Sequence, residues 1–378
     1  IQGSIRANAV LTADQLATLS PAERERVVGA RQSVAMLQAG AAGIAQAFPQ
    51  AHRAGCSTAG EISGAGVEDG SLVVTALHFD RTKIAQVSTV LAGMDDSFAA
   101  GKRLACGLPI VGLRAVLIFG QGVAINGSGV LSGMTEILGS QVPITGGLAG
   151  DGGAFAQTWV LDAAGVSDNR LTCIGLYGDA LEFSHGSFGG WSPFGPARKV
   201  TRSKNNVLFE LDGESALEVY KRYLGEHANG LPASGLLFPF AMLGSDHADV
   251  GLIRTILGVD EAAGSLTLAG DIDPDGYLRL MHASTDALVD GAEAAAMAAQ
   301  SMRAGPNQGL ALLVSCVGRK LVMGGRVDEE VEAVGEVFGA GATLAGFYSY
   351  GEISPFSPAV ECKLHNQTMT VTYIAESA

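Results

Sequence analysis

The stretch AGCSTAGEIS, residues 54–63, returns as AGFYSYGEIS at residues 345–354. Six of the ten positions are identical, and they include the two glycines that frame each stretch and the glutamate that follows the second glycine. Glycine suits places where a backbone reverses tightly or approaches another group closely, because it has no side chain. The repetition therefore predicts that two distant regions of the chain form the same kind of loop.

The loops belong to a longer repeated order of a strand, a helix and a glycine loop. The apolar runs typical of strands are RAVLIFG (114–120) and ALLVSCVG (311–318). The segments with helical periodicity are NGSGVLSGMTEILGS (126–140) and VDEEVEAVGEVFG (327–339). Between these regions, VPITGGLAGDGG (142–153) supplies a further glycine loop.

In this middle loop Gly147 and Gly152 are five residues apart, as Gly55 and Gly60 are. The first copy lacks a clear apolar strand ahead of its helix. We predict an α/β protein of two related domains, with mixed sheets flanked by helices and an internal strand-helix-loop-strand repeat.

The length of 378 residues suits two domains of ordinary size. The most basic stretch of the chain, residues 198–213, breaks the composition and predicts a connection between them. We therefore expect an N-terminal helical arm at residues 1–29, a first domain at 30–205 and a second domain at 206–378.

Charge and cysteine content exclude several classes of function. The net charge of -14 argues against a nucleic-acid-binding surface, which needs clustered Lys and Arg. No apolar run approaches the ~20 residues that cross a bilayer. Five cysteines without a CxxC pair indicate reduced thiols and no structural zinc. These features predict a cytoplasmic protein without membrane insertion, and they leave the oligomeric state open.

The repeated glutamates, Glu61 and Glu352, allow two interpretations. Either the loops line one cleft and offer carboxylates to a ligand, or each glutamate caps amides of its own turn. The residues predicted to bind a ligand are Cys56, Ser57, Thr58, Glu61, Tyr348, Tyr350, Glu352 and Asn366.

Cys56 carries a separate alternative, in which a hydrolase-like enzyme uses its thiol as a nucleophile. The surrounding GCSTAG differs from the GxSxG nucleophile elbow, and no basic partner is recognisable. A small packed thiol is the competing interpretation, and we predict no catalytic residues.

His185 lies in EFSHGSFGGWSPFG, a segment rich in aromatic residues. Haem needs only one axial protein ligand and an apolar pocket, so a single histidine in such surroundings is a candidate. The alternative is a packed structural histidine.

Seven separated blocks resemble the FIST family, whose members combine a FIST N domain with a FIST C domain. The blocks are GCSTAGEIS (55–63), PITGGLAGDGGAF (143–155), GGWSPFG (189–195), LFELDGESALEVYKRYLG (208–225), LVSCVGRKLVMG (313–324), GFYSYGEISPF (346–356) and HNQTMTVTY (365–373).

The resemblance implies a cytoplasmic, non-catalytic sensor that binds a small ligand and regulates a partner histidine kinase or a cyclic-di-GMP signalling protein. Stand-alone members look like bacterial haem proteins that sense nitric oxide. On that basis haem is the expected cofactor, with His185 and His365 as alternative candidates for its axial ligand. A second expectation is a small polar, amino-acid-like ligand bound without haem.

Overall fold

The computed structural model describes residues 2–4, 38–64, 66–303, 305, 308–356 and 361–377. The helical arm predicted for residues 1–29 lies outside the described residues, apart from Gln2–Ser4, which form a strand. Among the described residues, no helix is both long and apolar enough to cross a membrane.

Three mixed sheets form what we call the three-sheet body. Sheet I contains, in spatial order, Gly165–Ser167, Val160–Asp162, Gly55–Thr58, Gln2–Ser4 and Leu72–Val73. Sheet II contains Cys362–His365, Gly351–Pro355, Ile144–Leu148, Leu113–Gly120, Arg170–Tyr177 and Lys83–Val90. Sheet III contains Leu181–Phe188, Met369–Glu376, Leu310–Cys316, Thr343–Ser349, Glu61–Ser63 and Gly66–Glu68.

Each sheet contains one parallel pair of strands joined through helical segments, which is the predicted repeat. The pairs are Gln2–Ser4 with Gly55–Thr58, Leu113–Gly120 with Ile144–Leu148, and Leu310–Cys316 with Thr343–Ser349. The connecting helices are residues 38–47, Gly127–Leu138, and Val317–Met323 followed by Asp328–Phe338. The first copy does have its strand, but at three residues it is too short to produce an apolar run in the sequence.

After the second strand of each pair, the chain passes through its glycine loop into another sheet. The chain passes from sheet I into sheet III, from sheet III into sheet II, and from sheet II into sheet I. The body is therefore cyclic, with three copies of the unit around one axis.

An apolar core on this axis draws side chains from all three sheets. Cys56 comes from sheet I, Phe119 from sheet II, and Val314 and Phe347 from sheet III. All seven residues of Leu310–Cys316 are buried, because the core covers one face of the strand and helices cover the other.

Two helices that cover the sheets of the body begin at polar caps that the sequence supplies. The Asn126 side chain accepts a hydrogen bond from Gly129 N–H (3.0 Å), and the Ser284 hydroxyl accepts one from Ala287 N–H (3.2 Å). The second cap begins the long helix Thr285–Ser301, and Ser97–Gly107 packs beside the helix that follows Asn126.

Residues 192–282 form a lobe with its own sheet and core. Its strands, in spatial order, are Asp249–Arg254, Phe240–Leu243, Tyr277–His282, Arg198–Lys204, Val207–Leu211, Ser265–Leu268 and Ile256–Asp260, with Ser192–Pro193 and Glu214–Ser215 paired at the sides. The helix Ala216–Leu224 covers this sheet and buries Leu217 and Tyr220 against it.

The stretch 198–213, predicted as a connection, is instead an antiparallel hairpin within this sheet. Its basic residues lie on exposed or half-buried positions of the first strand, which explains the composition without a linker. The predicted boundary between residues 205 and 206 falls in the hairpin turn and stays a prediction. The α/β class, the two domains and the mixed sheets flanked by helices are confirmed.

Candidate functional site

The glycine loops of the three units meet on the axis of the body. A ring of three backbone hydrogen bonds joins them: Ala59 N–H to Tyr348 O (2.8 Å), Gly150 N–H to Ser57 O (2.9 Å) and Tyr350 N–H to Leu148 O (3.2 Å). The sequence prediction that distant copies form one kind of loop is therefore correct, and the loops contact each other directly.

The ring also fixes how the copies align. Ser57, Leu148 and Tyr348 hold equivalent positions, so Gly146 is the equivalent of Gly55 and Gly346. The spacing in the sequence suggested Gly147 instead, one residue later. Gly146 and Gly346 both leave room for a neighbouring carbonyl, since a Cβ there would lie 2.0 Å from Ile118 O and 1.9 Å from Leu313 O.

In the first loop, Glu61 is held inside its own turn. Its carboxylate accepts hydrogen bonds from the Thr58 hydroxyl and from both N–H and Oγ of Ser71 (3.1 and 3.0 Å). Thr58 Oγ1 in turn accepts Gly60 N–H (3.1 Å). Burial raises the pKa of Glu61, although the Thr58 and Ser71 hydrogen bonds oppose that rise.

The late loop repeats this arrangement with different partners. The Ser349 hydroxyl accepts Gly351 N–H (3.2 Å) and donates to Glu352 (2.7 Å). The other carboxylate oxygen accepts N–H and Oγ1–H of Thr368 (3.2 and 3.1 Å). Complete burial raises the pKa of Glu352 to about 8.

The middle copy has neither the hydroxyl nor the glutamate, and an aspartate anchors it instead. The Asp151 carboxylate accepts N–H groups of Phe155 (2.8 Å), Ala156 (2.8 Å) and Gln157 (3.0 Å). The Tyr350 hydroxyl also donates to Asp151, and the Tyr350 ring stacks on Phe155 with centroids 4.1 Å apart. Tyr350, predicted as a ligand contact, thus ties the late loop to the middle loop.

Other predicted residues of the ring are also buried. Cys56 is fully buried, and burial raises the pKa of its thiol far above its ordinary value, which disfavours the nucleophilic thiolate. Ser57 Oγ accepts Trp159 N–H (2.9 Å). Tyr348 donates its hydroxyl hydrogen to Glu330. These contacts favour the turn-cap interpretation of the loops.

A buried ion pair behind Tyr348 was not recognised in the sequence. Arg319 and Glu330 are both fully buried, with Nη2 and Oε2 2.6 Å apart, and Ser315 Oγ donates to the same carboxylate (2.9 Å). Arg319 also donates to the carbonyls of Gly189 and Leu288. Nothing in the spacing of Arg319 and Glu330 distinguishes them from an exposed pair.

A cleft of about 410 Å³ separates the three-sheet body from the lobe; we call it the inter-lobe cleft. Its walls include Phe188, Trp191, Asp249, Phe356, His365 and Thr368. One predicted residue, His365, therefore lines an open site. Thr368, which hydrogen-bonds Glu352, lines it too, so the late glutamate lies directly behind the cleft wall.

The His365 ring is fixed by two contacts. Its Nε2 lies 3.0 Å from Ser354 O, and its ring stacks in parallel on Phe356 with centroids 5.8 Å apart. Donation to the carbonyl places the hydrogen on Nε2 and the lone pair on Nδ1. Burial lowers the pKa of His365 to about 4, so the ring is neutral near pH 7.

The two histidines predicted as alternatives do not meet. His185 lies on Leu181–Phe188 and is 8% exposed, and its Nδ1 has no hydrogen-bond partner among the described residues. Gly186 packs against the helix Thr285–Ser301, so His185 faces the other side of sheet III. Burial lowers the pKa of His185 to about 4. His185 does not line the inter-lobe cleft.

Asn366 is buried in the turn that joins the last two strands, and its Oδ1 has no hydrogen-bond partner among the described residues. The next residue, Gln367, accepts Trp191 Nε1–H at its carbonyl (2.8 Å). The turn therefore positions one aromatic wall of the inter-lobe cleft. Within the part of the chain that the structure describes, no group of three or more His, Cys, Asp or Glu side chains could hold a metal ion.

Comparisons with known proteins give matches to two domain families. A FIST N domain matches residues 28–214, and a FIST C domain matches residues 216–355. No curated protein matches the chain. Among solved structures, a cyanuric acid hydrolase from A. caulinodans matches 79% of this chain and 100% of that chain at 13% identity, with a TM-score of 0.20, which is too low to carry an argument.

Proposed function

The chain belongs to the FIST family, and on that premise we propose that it is a signal-transduction sensor whose ligand binds in the inter-lobe cleft. FIST domains are sensor domains of signal transduction. The observation that carries the choice of site is His365, a neutral, oriented histidine in the wall of the open cleft between the three-sheet body and the lobe. Clefts between domains are favoured ligand sites, because a ligand there contacts both domains at once.

The finer form of this proposal is a haem sensor of nitric oxide. A metal-binding histidine commonly donates its other ring N–H to a carbonyl, and His365 makes such a bond to Ser354. Phe188, Trp191 and Phe356 supply aromatic walls. These residues fit haem, and His365 rather than His185 would hold its iron. Haem held there would supply an iron that can bind a diatomic gas.

Signal transfer in this proposal follows from where the cleft lies. Thr368 links the cleft wall to Glu352 in the ring of loops, and Trp191 is held by the same turn through Gln367. A ligand that pushes the lobe away from the body changes the contact between Trp191 and Gln367. A partner protein that binds near this contact can respond to the change. We expect the partner to be a histidine kinase or a cyclic-di-GMP signalling protein.

Reconstitution with haem tests the finer form. We expect a stoichiometric Soret band that disappears in His365→Ala and persists in His185→Ala. His227→Ala, an exposed histidine of the lobe, is the matched control, and circular dichroism must show that each variant is folded. A wild-type protein without a stoichiometric Soret band would falsify the haem proposal but not the ligand site.

The second candidate is a small polar ligand in the same cleft without haem. The observation that favours it is the mixture of polar groups in the wall, where Asp249 and Thr368 accompany His365. Titration calorimetry with the amino acids separates the candidates: saturable heat that Asp249→Asn removes supports this one. Absence of heat for every amino acid argues against it.

The hydrolase-like alternative depends on Cys56, whose buried thiol does not favour it. Labelling with iodoacetamide near neutral pH, read by peptide mass spectrometry, checks this. We expect modification at Cys106, which is exposed, and none at Cys56 in the folded protein. Rapid labelling of Cys56 would reopen the enzyme alternative.

A further inference from the structure

A second cavity, of about 340 Å³, opens on the axis of the three-sheet body. Gly55 and Leu310 line it, and each is the first residue of its strand, at the end that is remote from the ring of loops. The cavity therefore occupies the opposite end of the axis, and we call it the axial cavity. It shares no lining residue with the inter-lobe cleft.

All three sheets contribute to the wall of the axial cavity, and the inner wall is apolar. Its members include Leu117, Phe119, Ile174, Leu176, Leu312 and Ile374. The cavity opens to solvent at one end, so it is a pocket rather than a packing defect of the interior. It lies within the ~300–1,000 Å³ typical of pockets for small molecules.

The exposed residues of the lining form the mouth of the axial cavity, which includes His52, His78 and Leu77, with half-buried Thr75 beside them. An apolar interior with hydrogen-bonding groups at only one end matches a ligand that is apolar at one end and polar at the other. A wholly polar ligand would leave its groups without partners among the leucine and isoleucine side chains.

The strand Met369–Glu376 of sheet III holds the rim of the mouth in place. The Glu376 carboxylate accepts three successive backbone N–H groups, from Asp80 (2.7 Å), Arg81 (3.0 Å) and Thr82 (2.5 Å). This fixes the segment that carries His78 and Phe79. A mouth fixed before binding lowers the ordering cost of the ligand.

We propose that the axial cavity is a binding site for a small amphipathic molecule, with its apolar body among the three sheets and its hydrogen-bonding head at His52 and His78. This site is separate from the sensor site in the inter-lobe cleft. It gives the protein a second input, for an amphipathic molecule rather than for a gas or a wholly polar ligand.

The experiment measures displacement of anilinonaphthalenesulfonate fluorescence from the full chain by decanoic acid and by decanol. We expect saturable one-to-one displacement. Thr75→Trp fills the mouth and should weaken binding by about tenfold or more, equivalent to about 1.4 kcal/mol. Val74→Trp, the adjacent exposed position that does not line the cavity, is the matched control and should change affinity by less than about twofold.

No saturable displacement from the wild-type protein overturns the proposal, as does equal affinity in folded Thr75→Trp. If Thr75→Trp loses its near-ultraviolet circular dichroism, His52→Ala decides instead. This variant removes only a group at the mouth and should weaken the binding of decanoic acid and of decanol by about fivefold. Unchanged affinity for both probes in His52→Ala overturns the assigned orientation.

The same variants distinguish this site from the sensor site. His365→Ala should keep the affinity for decanoic acid, and Thr75→Trp should keep any Soret band that the wild-type protein shows. Loss of the Soret band in folded Thr75→Trp, with retention in His365→Ala, would place haem in the axial cavity and contradict both assignments.

Discussion

The two copies of the GEIS loop have nearly the same sequence but different surroundings. In both, a hydroxyl three residues before the glutamate accepts a glycine N–H and donates to the carboxylate. Glu61 has its other contacts to Ser71, which is half-buried, whereas those of Glu352 go to Thr368, a buried residue in the wall of the inter-lobe cleft. The ten residues therefore specify the turn, and the neighbours decide the electrostatics of its glutamate.

The largest expected effect concerns the difference in how the two loops are anchored. The hydroxyl of Tyr348 in the late loop donates to Glu330, which Arg319 neutralises, while the hydroxyl of the equivalent Ser57 accepts Trp159 N–H. Arg319→Met leaves Glu330 buried without its partner and should cost about 3–5 kcal/mol in the free energy of unfolding. Ser57→Ala should cost about 1 kcal/mol. Urea denaturation measures both.

The control for this prediction is Arg319→Met combined with Glu330→Gln. Removing the unpaired charge should recover part of the lost stability, because the remaining polar group is neutral. A single Arg319→Met variant no less stable than Ser57→Ala would show that the late loop does not depend on the ion pair.

The next effect concerns the glycine that lets strands approach within the repeat. Gly346→Ala would place Cβ 1.9 Å from Leu313 O, so the parallel pair in sheet III must separate. We expect a loss of about 3 kcal/mol or more. Gly335→Ala is the control, since its Cβ would meet only Leu344 Cδ2 at 3.4 Å within a helix, where alanine stabilises by roughly 0.5–1 kcal/mol. Thermal unfolding measures both, and similar melting temperatures would contradict the close approach.

These contacts mark where the sequence stops predicting the fold. The repeat of strand, helix and glycine loop was visible because glycine and apolar runs are local signals. The one-residue shift from Gly147 to Gly146 was not, because adjacent glycines look alike until the ring of loops is seen. The short strand Gln2–Ser4 depends on pairing with a distant strand, which leaves no local pattern. The hairpin at 198–213 pairs locally, but its basic residues give it the composition of a connection.

The candidate site was predictable to a similar extent. The sequence identified residues that come together in the ring, but the ring is buried and satisfied by its own hydrogen bonds. His365 was identified through the block HNQTMTVTY, which resembles the FIST family. The lobe forms one wall of the cleft around His365, and the spacing of residues in the sequence does not predict that contact. The axial cavity gave no signal, since its apolar residues resemble any core.

A smaller effect compares the two glutamates directly. Glu352→Ala leaves the Ser349 hydroxyl and Thr368 N–H buried without an acceptor and should cost about 3 kcal/mol in unfolding free energy. Glu61→Ala should cost about 1 kcal/mol, because water can reach the half-buried Ser71. Chemical denaturation of both variants tests this, and equal losses would mean that the surroundings do not distinguish the copies.

The last effect is the pH dependence that the late loop contributes. Burial raises the pKa of Glu352 from 4.5 to about 8, so the folded state holds this proton more tightly than the unfolded state. The contribution of Glu352 to stability is therefore fully present below about pH 4.5 and is lost as pH rises to about 8. Glu352→Gln does not titrate, so the stability difference between wild type and this variant should shift against the wild type across that window. Denaturation of both proteins at several pH values, with Glu61→Gln as the matched variant, measures the slope. A wild-type advantage that grows as pH rises would contradict the raised pKa, since a carboxylate stabilised in its charged form gives the opposite sign.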